Sequence, residues 1–250
     1  NFNYGLFTDG LRLMLIGFFK KIAVADMLAM VINPVFADQS AYTGLTLTAT
    51  VILYAFYLYC DFSGYSDIAR GCAALFGIAL RENFNTPYLS TSFVELWRRW
   101  HMSLSAWLRE YVYIGLLGGN RKGKVRKYFN VLLTFIISGL WHGANWTFVL
   151  WGVLHGMYQI VGKITLPTRK KVCAALHINR ETNAYAWWER FVTFVLVGFA
   201  WIFFRANSMS DAMLLVKKLF TDWSLSDAYI NATIDHLGLT LVAVLISILS

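Results

Sequence analysis

Residues 128–161, YFNVLLTFIISGLWHGANWTFVLWGVLHGMYQIV, decide how the chain folds. Two apolar runs, 128–141 and 146–161, flank the tetrapeptide His142-Gly143-Ala144-Asn145. Gly and Asn suit a turn, so the stretch predicts a membrane hairpin with a histidine at its tip. Basic stretches without acids lie on both sides. Residues 118–127 hold Arg121, Lys122, Lys124, Arg126 and Lys127, and residues 163–171 hold Lys163, Arg169, Lys170 and Lys171. Lys and Arg collect on the cytoplasmic side of membrane helices, so both ends of the hairpin are expected to be cytoplasmic. The arm 129–141 has 13 residues and rises only about 20 Å, against a hydrocarbon core of about 30 Å. His142 is therefore expected within or near the bilayer core. Non-helical backbone at that depth needs protein or a wet cavity around it.

Composition supports a membrane chain. Of 250 residues, 58% are hydrophobic, 17% aromatic and only 14% charged, whereas a soluble domain carries about 25% charged residues. Too little charge remains to solvate a surface, so the apolar excess has to face lipid. The 22 Lys and Arg exceed the 14 Asp and Glu, for a net charge of +8. In so apolar a chain this excess points to topology and anionic headgroups, with no nucleic acid as partner. Cys60, Cys72 and Cys173 have no ligand-like spacing, and no His pair lies at i,i+4. The sequence therefore predicts neither a disulfide framework nor a metal site.

Further spans are expected at 11–32, interrupted by Lys20, Lys21 and Asp26, and at 45–60, ending in a break at Asp61-Phe62-Ser63-Gly64. Others are expected at 65–80, at 187–204 and from 237 onward. Asp67 and Arg70, at i,i+3, are expected to pair. Lys20, Lys21 and Asp26 are expected to line an aqueous path or snorkel. Residues 33–42, with Asp38 and no base, read as external. Residues 92–117 differ: Phe93, Trp97, Trp100, His101, Leu104, Leu108 and Tyr111 recur at three- and four-residue spacing, as on one helical face. Trp and Arg together favour the headgroup boundary, so in-plane or re-entrant amphipathic helices are expected there.

An ionisable side chain at membrane depth is a functional candidate, and imidazole suits proton transfer near neutral pH. The competing reading of His142 is a structural histidine bridging helices. His101, on the Trp/Arg stretch, is the second candidate. His155 reads as packing, and His177 and His236 lie in polar connections. Ser138, one turn before His142, raises a Ser–His nucleophile, but no third acid or strand-turn-helix elbow supports it. Asp61 is expected to pin its turn or line a channel.

Five motifs carry a resemblance: FFKKIAVAD (18–26), YCDFSGYSDIA (59–69), NFNTPY (83–88), WRRWHMSLS (97–105) and LWHG (140–143). Together they resemble the bacterial membrane-bound O-acyltransferase (MBOAT) family, nearest its alginate-acetylating branch, with the teichoic-acid D-alanylating branch related. The similarity runs from about residue 2 to beyond 205. It implies an all-α polytopic membrane protein with helices around a tunnel or funnel. It also implies acyl transfer from a cytoplasmic thioester, acetyl-CoA or an acyl-carrier thioester, toward hydroxyls of a cell-envelope or exported polysaccharide. On that basis His142 and His101 are the catalytic candidates, with His142 as general base. Asp61, Ser63, Trp97, Arg98, Trp141 and Asn145 are the substrate-binding candidates, and Asn145 or Trp146 could face an oxyanion. The resemblance implies no tightly bound cofactor. It further implies a bacterial inner-membrane location and a periplasmic or extracellular acetyltransferase partner. Residues 1–250 are expected to form one transmembrane domain of a longer protein, lacking the family's N-terminal helices and the extreme C-terminus. The alternative is a non-catalytic membrane subunit or acyl-group transporter that hands the acyl group to a periplasmic transferase. A flippase is disfavoured because no internal repeat is visible.

Overall fold

The computed structural model describes residues 3–121 and 123–224. Lys122, His236 and the apolar run from 237 lie outside them. Every regular element among the described residues is helical. In chain order these are α1 (Tyr4–Phe18), a π-helical segment (Phe19–Ala25), α2 (Asp26–Ala37), α3 (Gly44–Leu75), α4 (Phe93–Arg99), α5 (Met102–Trp107), a second π-helical segment (Leu108–Leu116), α6 (Gly123–His142), α7 (Trp146–Ile164), α8 (Leu166–Ala175), α9 (Asn183–Arg205) and α10 (Met209–Thr221), with short 3-10 turns between some of them. Two of these helices, α3 and α9, are long and apolar enough to cross a membrane. On α9, Trp187, Trp188 and Phe191 are each 59% exposed, as a lipid-facing surface requires. The described residues form two compact units, one of residues 3–83 with 210–224, the other of Phe84–Met209.

In the first unit, α1, the π segment and α2 run without interruption and pack antiparallel against α3. Glycines set the spacing. A Cβ on Gly17 would lie 2.6 Å from the Gly64 carbonyl oxygen, and one on Gly71 would lie 2.5 Å from that of Gly10. Small residues let membrane helices approach this closely. The break expected at residues 61–64 is therefore absent: Gly64 serves a helix contact, and 45–60 and 65–80 are not separate spans, because α3 continues through both sides of it.

The π segment holds consecutive lysines against α3. Lys20 Nζ donates to Asp67 Oδ2 at 3.0 Å, and Arg70 Nη1 contacts Asp67 Oδ1 at 3.4 Å. Lys21 pairs with Asp61 and, at 3.6 Å, with Asp26. The expected Asp67–Arg70 pair is present, but Lys20 makes it a triad. Both lysines are tied to carboxylates on this hairpin. From α10, Lys218 Nζ donates to the carbonyls of Gln39, Ser40 and Tyr42 at 3.2, 2.6 and 2.7 Å, which fastens the turn between α2 and α3.

In the second unit α6 and α7 form the expected antiparallel hairpin. Gly139 faces the Phe148 carbonyl and Gly152 the Phe135 carbonyl, with no room for a Cβ at either. The basic stretch 118–127 is not wholly a loop, since α6 begins at Gly123. Residues 92–117 are not one helix. At α4, the Ser92 hydroxyl accepts from the Glu95 N–H, and Glu95 Oε2 accepts from the Thr91 N–H and hydroxyl at 2.8 Å. Burial pushes the Glu95 carboxyl up, but the Thr91 hydrogen bonds and the Arg99 charge outweigh it and hold it below the usual carboxylate range. The helix stops at Trp100, and His101 adopts a left-handed conformation with φ 43° before α5 starts.

Candidate active site

His142 is the last residue of α6, half-buried. Four aromatic rings surround it. Trp141 and Phe204 lie 4.9 Å from its ring centroid, Trp151 5.3 Å and Phe148 6.2 Å. Phe204 comes from α9, and Phe148 and Trp151 from α7, so three helices build the enclosure. Among the described residues no carboxylate pairs with this imidazole. Its neighbours are π systems, which accept a positive ring better than aliphatic walls would.

One turn beyond Trp151 on α7, His155 is completely buried. Its Nδ1 accepts from the Trp97 indole N–H at 3.3 Å. In a neutral ring the proton then sits on Nε2, and that atom has no partner among the described residues. The indole nitrogens of Trp151 and Trp201 are also buried and unpaired, with ring centroids 4.9 and 6.0 Å from that of His155. Each such donor costs about 1–3 kcal/mol, and such groups call for a reason beyond packing. The plain packing role expected for His155 omits its bond to Trp97. Its position four residues after Trp151 was the available signal. Replacing His155 with Phe keeps the volume but strands the Trp97 N–H, and should lower stability by about 1–3 kcal/mol, read as thermal unfolding of the purified protein. An unchanged midpoint would show that the hydrogen bond has no weight.

His101 stacks on Phe84 at 6.4 Å and 28° and lies within electrostatic range of His142. Its left-handed backbone costs roughly 1–2 kcal/mol for a residue with a Cβ, and strain of this kind gathers at functional sites. His101→Gly should therefore keep or raise stability, whereas His101→Ala keeps the strained backbone, loses the stack on Phe84 and should lower it. Thermal unfolding of the two purified variants checks this, and a glycine variant less stable than the alanine one would show that the backbone strain has no weight.

The other candidates divide between the units. Trp141 borders His142 and is 60% exposed. Asn145 caps α7, accepting from the Thr147 N–H at 3.1 Å, and donates one amide hydrogen to the Asn207 carbonyl at 3.3 Å. Its second amide hydrogen has no partner among the described residues. Trp146 is 76% exposed. Ser138 is buried on α6, its hydroxyl without a partner. Trp97 and Arg98 line a cleft bounded by α4, α5, α6 and α7. Asp61 and Ser63 belong to the first unit, Asp61 paired with Lys21 and Ser63 buried one turn from Tyr59. Among the described residues no group of three or more His, Cys, Asp or Glu gathers as metal ligands would. Phe148, Trp151 and Phe204 were missed as site residues, since aromatic spacing alone reads as core.

Comparison with known proteins adds to this geometry. The model of the family described as "MBOAT, membrane-bound O-acyltransferase family" matches residues 4–204. The chain is 42% identical over 223 residues to a probable alginate O-acetylase AlgI of Pseudomonas syringae, covering 88% of this chain and 40% of that protein. It is 39% identical over 215 residues to a peptidoglycan O-acetyltransferase of Helicobacter pylori, covering 86% and 39%. A teichoic acid D-alanyltransferase of Streptococcus thermophilus is 29% identical over 177 residues, covering 67% and 43%. The matched region spans about two fifths of the length of these relatives.

Proposed function

The chain belongs to the membrane-bound O-acyltransferase family, and from that premise we propose that it carries the His142 centre of an enzyme that acetylates a cell-envelope or exported polysaccharide. The observation that carries this reading is the imidazole at the tip of the α6–α7 hairpin, enclosed by Trp141, Phe148, Trp151 and Phe204. The names of the relatives supply the substrate class: alginate and peptidoglycan O-acetylation and teichoic acid D-alanylation all concern envelope or exported polymers.

In this reading a thioester donor, acetyl-CoA or an acyl-carrier thioester, presents its carbonyl from the cytoplasmic side. The acceptor hydroxyl attacks that carbonyl as His142 takes the hydroxyl proton. The C–O ester bond forms and the C–S bond breaks. The leaving thiolate then takes the proton from the imidazolium, which returns His142 to its neutral form. The aromatic enclosure favours the transient imidazolium, and the second amide hydrogen of Asn145 is the donor available to the carbonyl oxygen. The protein is a multi-pass protein of the bacterial plasma membrane, and it works with a periplasmic or extracellular acetyltransferase that receives the acyl group or directs it to the glycan. The test is mass spectrometry of envelope glycans from cells lacking the protein. Loss of O-acetyl esters is expected, and an unchanged ester content would contradict the assignment.

A further inference from the structure

His155 takes no part in the proton transfer assigned to His142, yet an imidazole is an expensive side chain to place where it stands. It is completely buried on α7, and its Nε2–H, unpartnered among the described residues, carries a desolvation cost that an apolar side chain would avoid. Packing does not require it. Phe93 and Trp97, one turn apart on α4, meet its ring at 6.2 and 5.2 Å, and Trp151 and Trp201 meet it at 4.9 and 6.0 Å. Phenylalanine would fill the same space among these rings. What the imidazole adds is direction. Apolar contact is non-directional, whereas the Trp97 indole N–H reaches Nδ1 at 3.3 Å, and a hydrogen bond weakens steeply as it bends.

Each end of that bond leads to one of the two candidate histidines. On α7, Trp151 lies one turn before His155 and packs edge-to-face against the His142 ring, at 5.3 Å and 89°. On α4, the helix ends two residues after Trp97, at Arg99, and the left-handed turn at His101 follows. His101 lies within electrostatic range of His142. Trp97 also meets Trp151 directly, at 5.8 Å. The bond therefore limits how α4 can slide or turn along α7. With that it fixes both the wall beside His142 and the start of the segment that presents His101.

We propose that His155 is a positioning residue: through Nδ1 it locks Trp97, and so α4, to α7, and holds His101 and the Trp151 wall in place around the His142 imidazole. A ring that accepts at Nδ1 is neutral, with its proton on Nε2, so His155 moves no proton and acts through Trp97 and Trp151. Its effect on turnover rests on the acyl-transfer reading above. Its effect on the surroundings of the His142 ring does not.

The test compares variants of the intact protein in nanodiscs. His155→Phe fills the space but offers no acceptor, whereas His155→Asn brings an amide oxygen that can accept from Trp97. Trp97→Phe breaks the same bond from its other end, which keeps the test open if His155→Phe does not fold. Thermal unfolding checks each. The first readout is carbethoxylation of individual histidines by diethyl pyrocarbonate, followed by mass spectrometry, with exposed His177 as internal reference. His142 should react several-fold faster in the two bond-breaking variants, as its wall loosens, and near the wild-type rate in His155→Asn. The second readout is turnover of an acetyl thioester with a hydroxyl acceptor. His155→Phe should lower kcat about tenfold, well within what a small misplacement brings, with KM little changed, and His155→Asn should recover most of the loss. Wild-type reactivity of His142 in the folded bond-breaking variants would overturn the positioning role, and so would an asparagine variant as altered as the phenylalanine one. Full turnover by His142→Gln would instead contradict the acyl-transfer reading, and the carbethoxylation rates would still decide the role of His155.

Discussion

With His142 as the proposed general base, His142→Ala in the intact protein should lower polysaccharide acylation by about 10²–10⁴-fold, the range that a positioned general base contributes. Membrane abundance should stay near wild type, because His142 is half-buried at a helix end and its ring makes aromatic contacts but no hydrogen bond among the described residues. A glutamine at the same position keeps hydrogen-bonding capacity but cannot take a proton at neutral pH, so it should be nearly as inactive as alanine. The two variants together separate proton transfer from polar packing. If glutamine retained most of the acylation, His142 would be a positioning residue. Glycan ester content, measured by mass spectrometry in cells with matched protein levels, reads the difference.

Lys20→Met has the largest expected effect on stability. Lys20 and Asp67 have side chains only 9% and 12% exposed, and they are joined at 3.0 Å. Removing the lysine leaves the carboxylate with Arg70 alone, at 3.4 Å. Breaking a buried pair by deleting one partner costs about 3–5 kcal/mol where the remaining charge is left alone, and the weaker contact with Arg70 puts Lys20→Met toward the lower end of that range. The double variant Lys20→Met/Asp67→Asn should recover more than half of that loss, since both charges then leave together. Arg70, 26% exposed, can turn toward solvent. Thermal unfolding of the wild type, both single variants and the double variant closes the cycle. A double variant no more stable than Lys20→Met would show that the uncompensated charge is not the source.

The hairpin and its histidine were legible because their signals are local: two apolar arms, a Gly and Asn turn, and basic stretches at both ends. What the sequence concealed depends on partners far along the chain. Gly64 beside Asp61 and Ser63 reads as a turn signal, yet its role is to admit Gly17, 47 residues earlier, and α3 continues through it. Lys20 and Lys21 find Asp67 and Asp61 through a π-helical segment whose existence no periodicity announces. The recurring face of residues 92–117 is real in spacing, but the left-handed backbone at His101 divides it. Phe204 joins the His142 enclosure from α9, 62 residues downstream. The donor group at His155, Trp151 and Trp201 likewise becomes visible only when α7 and α9 pack. Motif resemblance reached His142 and His101 because both sit inside short ordered strings, LWHG and WRRWHMSLS.

The central claim is that the imidazole at the hairpin tip performs acyl transfer and does not merely line a passage. The most direct measurement is single-turnover release of thiol from a radiolabelled acetyl thioester by the purified intact protein in nanodiscs, with a hydroxyl acceptor present and wild type compared with His142→Gln. Wild type should release thiol and place the label in an ester, while the variant does neither at equal folded concentration. Equal thiol release and equal ester formation by the two proteins would contradict the account.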